Sequence, residues 1–115
     1  MNLTQPVPGT LYAQLYDFSD QINTGQVIAK FPTDQWVQLE VFVSKSTAKK
    51  GRITVWQNGT LILDVQDVET ILNANDSFQW CVGGASTALA PPLPIRVYVD
   101  DAAISTVQLG PNVVF

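Results

Sequence analysis

The chain has 115 residues, 46% of them hydrophobic and only 14% charged, with a formal net charge of −4. That length is one domain's worth, enough to bury about two thirds of the unfolded surface, and so apolar a composition excludes intrinsic disorder. Ten acidic residues against six basic ones, with no histidine, exclude an electrostatic footprint for nucleic acid or anionic membrane and remove the commonest general base and metal ligand.

Residues 1–10 read as an extended arm punctuated by Pro6, Pro8 and Gly9. Met1 to Gly9 is polar and proline-rich, unlike a signal peptide, and no apolar run has the length of a membrane span. Leu11–Phe18 is a first strand, Ser19–Gly25 a polar loop, and Gln26–Phe31 a short strand ended by Pro32. Trp36–Lys45 alternates strictly: Val37, Leu39, Val41 and Val43 share one face, and Trp36, Gln38, Glu40 and Phe42 share the other. A period of two is the mark of a strand with one face in a core. After the polar loop Ser44–Gly51, the runs Arg52–Gln57 and Thr60–Val65 flank Asn58-Gly59. Asn-Gly between two such runs predicts a β-hairpin, because both residues tolerate the positive φ of a type I′ turn. Asp67–Leu72 suits a strand or one helical turn equally. Ser77–Val82 is a strand closed by Gly83-Gly84, Ala85–Pro94 is a loop, and Ile95–Ile104 is another alternating strand.

Many short strands with no amphipathic helix predict an all-β protein: two antiparallel sheets in a jelly-roll or β-sandwich, with residues 11–115 as one domain. The facing core would hold Val37, Leu39, Val41, Ile53, Val55, Leu61, Leu63, Val97 and Val99. One cysteine, Cys81, forms no internal disulfide and reads as a core residue.

The residues alternating away from that core carry the chemistry. Glu40, Arg52, Trp56, Arg96 and Tyr98 would form a face of rings, a carboxylate and guanidinium groups, joined by Trp36, Gln38, Phe42 and Thr54. Such a face suits a sugar: rings stack on pyranose faces, planar polar groups bind hydroxyls, and arginine pairs with uronate carboxylates. The competing reading makes Trp36 and Trp56 core residues and Glu40 a cross-strand partner of Arg52 or Arg96. Asp100-Asp101 sits where a strand disfavours aspartate. A calcium ion held by oxygen ligands is one use; hydrogen bonding to loop amides is the other. No other cofactor is expected. Asn2-Leu3-Thr4, Asn58-Gly59-Thr60 and Asn75-Asp76-Ser77 fit a glycosylation sequon, a short and unspecific pattern.

The run Trp36-Val-Gln-Leu-Glu-Val-Phe-Val, the hairpin Gly51-Arg-Ile-Thr-Val-Trp-Gln-Asn-Gly-Thr-Leu-Ile-Leu-Asp64, Gly83-Gly84 and Val97-Tyr-Val-Asp-Asp-Ala-Ala-Ile-Ser105 together carry a resemblance. This pattern, over residues 11–106, resembles the C-terminal half of the concanavalin A-like jelly-roll superfamily, which includes polysaccharide lyases and laminin-G-like sugar-binding domains. The resemblance implies a jelly-roll and a polysaccharide or oligosaccharide partner, hence an extracellular or cell-surface setting. Its lyases rely on tyrosine and often histidine, so Tyr98 with Arg96 would be the remnant of such a site. Non-catalytic polysaccharide binding is the expected function. The alternatives are a small lyase acting on uronic-acid polymers with Tyr98 as base, or a purely structural, self-associating module. Members of the family are longer, so the chain reads as shortened on its N-terminal side. Missing strands would leave open sheet edges that recruit a second copy, and a homodimer with the 1–10 arm reaching across is expected.

Overall fold

The computed structural model describes residues 2–7, 10–14, 30–77 and 98–110. It is all-β there. Six strands run β1 (Asn2–Val7), β2 (Thr10–Gln14), β3 (Lys30–Phe31), β4 (Leu39–Ser44), β5 (Gly51–Gln57) and β6 (Thr60–Val68). They form two three-stranded antiparallel sheets, ordered β1-β2-β3 and β4-β5-β6. The predicted strand Ser77–Val82 beyond Ser77, the first three residues of the predicted strand Ile95–Ile104, the Gly83-Gly84 stop, Cys81 and Arg96 lie outside the described residues.

The stretch read as an arm holds β1, which pairs with β2 of the same chain from Asn2↔Gln14 to Val7↔Thr10. Proline is tolerated because β1 is an edge strand, where a missing N–H need not break the ladder. The register shifts between Thr4 and Val7, across Pro6.

The β5–β6 hairpin turns as its sequence requires. Gln57 faces Thr60, and Asn58 and Gly59 have φ of 50° and 77°, the pair of positive values that defines type I′. Asn58 also holds the tip against the start of β4. Its Oδ1 accepts the Gln38 N–H at 2.9 Å, and its own N–H donates to the Gln38 carbonyl at 3.0 Å. β6 runs on past Val65, so the undecided stretch Asp67–Leu72 is strand at Asp67 and Val68 only, with Asp67 at φ 56° marking a second register shift opposite Gly51-Arg52.

Four residues predicted for the core are exposed instead. Val55 faces Leu63 but Trp56 faces Leu61, so Ile62 is an extra residue on β6. A bulge breaks the period of two beyond it. Accordingly Ile62 is 9% exposed and packs with Val55, Ile53 and Leu63, while Leu61, predicted for the core, is 54% exposed. Leu39 and Val41, on the face assigned to the core, are exposed as well. At the far end no strand spans residues 98–104. Asp101 adopts φ 51°, a left-handed conformation that aspartate tolerates and a strand does not, and Val99 is exposed.

Candidate functional site

Residues opposite each other in an antiparallel ladder point to the same face. The registers therefore build a grid on the β4-β5-β6 sheet: Glu40 beside Trp56, Phe42 beside Thr54 beside Asp64, and Ser44 beside Arg52 beside Gln66. Three of the five nominated ligand-binding residues, Glu40, Arg52 and Trp56, share this face. Trp56 is half-buried and Phe42 exposed, so neither ring is sealed into a core. Trp36, 69% exposed, lies before β4 begins.

Arg52 and Asp64 form the centre. The guanidinium Nε donates to Asp64 Oδ1 at 2.7 Å and a terminal nitrogen to Oδ2 at 2.8 Å. This fork-on-fork geometry is the strong, directional form of the pair. Two more donors converge on the carboxylate: the Thr54 hydroxyl on Oδ1 at 3.1 Å and the Gln66 amide on Oδ2 at 3.0 Å. Thr54 is itself buried, which fixes the underside of the cluster. The Arg52 bond, then the Gln66 bond, hold the Asp64 carboxyl down at about 2, and the same contact raises the guanidinium.

An acid prediction follows. Asp64 titrates from about 2 in the fold against an ordinary 3.8. Its stabilising contribution is therefore present above 3.8 and is lost as pH falls toward 2. Asp64→Asn is expected to flatten this acid limb in urea unfolding followed across that interval. An unchanged limb would assign the acid loss to other carboxylates.

Glu40 does not pair with Arg52. Its Oε1 accepts the Leu109 N–H at 2.7 Å and its Oε2 the Gly110 N–H at 3.2 Å, while the Gln38 side-chain amide donates to the Gly110 carbonyl at 2.7 Å. Leu109 and Gly110 are thus fastened by Glu40 of β4 and by Gln38, the residue just before that strand.

The remaining nominated residues are not brought to the grid. Tyr98 is 70% exposed in a segment without strand, and Arg96 is outside the described residues. Asp100 Oδ1 accepts the N–H of Asp101 at 3.0 Å, and both aspartates are exposed. Among the described residues no group of three or more acidic or cysteine side chains gathers as a metal site.

Sequence reasoning missed Asp64 and Gln66. Their signal was the alternation of Leu63 and Val65 with Asp64 and Gln66, legible once β6 is carried past Val65. It also missed the Leu109–Gly110 anchor, for which no local pattern exists. No family model matches the chain, and no curated protein or solved structure is found similar to it.

Proposed function

We propose that the Glu40–Phe42–Arg52–Trp56–Asp64 face binds a carbohydrate chain without acting on it. The two sheets would then be halves of a jelly-roll that presents this face outward. The observation that supports the reading most is the forked Arg52–Asp64 pair, held from both sides by Thr54 and Gln66, in a grid with two incompletely buried rings. Asp64 takes two of the five donors of the guanidinium, which leaves three for sugar hydroxyls or a uronate. Phe42 lies diagonally between Arg52 and Trp56, so rings and polar groups alternate along the face as a pyranose chain requires.

Binding would be measured by calorimetry against a β-linked glucan oligosaccharide and polygalacturonate. Trp56→Ala is expected to weaken it about tenfold or more, the loss of an aromatic anchor worth at least about 1.4 kcal/mol. Wild-type protein that retains neither polymer would overturn the proposal.

A second reading, self-association, is favoured by one observation. Leu39 and Val41 are exposed side by side on the opposite face of β4, and a two-fold contact would cover them. Light scattering is then expected to return the mass of two chains, with Val41→Asp reducing it to one.

A further inference from the structure

The carboxylate of Glu40 is aimed at the face just described but is already occupied. Its two oxygens each accept an N–H from consecutive residues, Leu109 and Gly110, and Gln38, just before β4, holds the Gly110 carbonyl. Gly110 reaches this position with φ of 76°, which glycine adopts without strain. From Tyr98 to Gln108 the chain is exposed throughout and forms no strand, and only Leu109 and Gly110 become partly buried. A side-chain carboxylate gripping two adjacent donors is also how a carboxylate holds two neighbouring hydroxyls of a sugar ring. Trp56, the stacking ring, stands directly across from Glu40 in the ladder.

Resting on the carbohydrate reading above, we infer that Leu109 and Gly110 form an autoinhibitory strap: their amides fill the place on Glu40 that an adjacent pair of sugar hydroxyls would take. A ligand must displace the strap to reach Glu40. A strap closed about nine tenths of the time weakens apparent affinity about tenfold, because only the open fraction is competent.

Gly110→Pro tests this in the full chain with every face residue intact. Proline removes the N–H that Glu40 Oε2 accepts and forbids a positive φ. A Cβ at this position meets nothing within 4 Å, so an added β-carbon introduces no clash. Gly110→Ala, strained only through its φ, serves as a milder second variant. Hydrogen exchange at the Leu109 amide reads the strap directly, and calorimetry with the same glucan oligosaccharide and polygalacturonate reads its effect. The Leu109 amide is expected to be protected in the wild type and to lose protection in Gly110→Pro and in Glu40→Gln. Gly110→Pro is expected to bind about tenfold more tightly, and Glu40→Gln, which loses the strap and the carboxylate together, is expected not to.

Unprotected Leu109 in the wild type sinks the strap whatever binds. Protection that is lost in Gly110→Pro without tighter binding sinks its inhibitory role and leaves the carbohydrate reading standing. No binding by any variant removes the carbohydrate reading and the inhibitory role together, while exchange still scores the anchor.

Discussion

Gly51→Ala is expected to be among the most damaging single changes, lowering stability by about 2–4 kcal/mol. A Cβ at residue 51 would lie 2.6 Å from the Val68 carbonyl oxygen, 2.7 Å from Thr70 Cγ2 and 3.0 Å from Thr70 Oγ1. The first is backbone in the paired strand and cannot rotate away. The second and third belong to a threonine that is itself committed. Its hydroxyl donates to the Ser44 carbonyl at 2.8 Å and accepts the Ser46 N–H at 2.8 Å, and its own N–H donates to the Ser46 carbonyl at 2.9 Å. Thr70 thereby ties the end of β4 and the lysine-bearing loop to the end of β6. Overpacking of this kind costs about 1–3 kcal/mol, and each hydrogen bond lost as Thr70 moves adds about 1 kcal/mol. The entropic benefit of alanine in the unfolded chain, about 0.4–1 kcal/mol, does not offset this. Urea unfolding with an unchanged slope checks it. A loss under about 0.5 kcal/mol, the range of ordinary surface substitutions, would show that the strand end yields freely.

The second large effect is expected in the middle of β5. Val55→Ala is expected to lower stability by about 2–3 kcal/mol: about 1.6 kcal/mol for two buried carbons, and the remainder for the cavity they leave. Val55 is 1% exposed, on the central strand, against Ile53, Ile62 and Leu63. Its ladder partner Val41 is the control. Val41 is 49% exposed, and Val41→Ala is expected to change stability by less than about 0.5 kcal/mol. Equal losses from the two would mean that the opposite face of β4 is covered after all, and would favour the two-fold contact suggested for it.

These two valines mark the boundary between what a pattern reveals and what it hides. Both alternate in phase, and period two assigns both to one face. It says nothing of how deeply each is covered. β5 has a neighbour on each side and β4 has one among the described strands, so only the former is enclosed. The bulge at Ile62 is another case. Thr60 to Val65 reads as an unbroken strand, yet one extra residue moves burial from Leu61 to Ile62.

The all-β class, the type I′ hairpin and the placing of Glu40, Arg52 and Trp56 on one face are already legible in the amino-acid order. Each rests on short-range rules: alternation, β-branching, and the ability of Asn-Gly to adopt positive φ. Two things depended on long-range contact and left no local trace. The first is which partner each charge chooses, since Arg52 takes Asp64 across the hairpin rather than Glu40 on β4. The second is the capture of Glu40 by amides some seventy positions along the chain. The path around Asp101 did leave a local sign: residues 98–104 of the predicted strand form none, at the aspartate pair that a strand disfavours. Alternation records a strand's tendency to show two faces; pairing, enclosure and charge partnership are properties of neighbours, which the chain acquires only when distant segments meet.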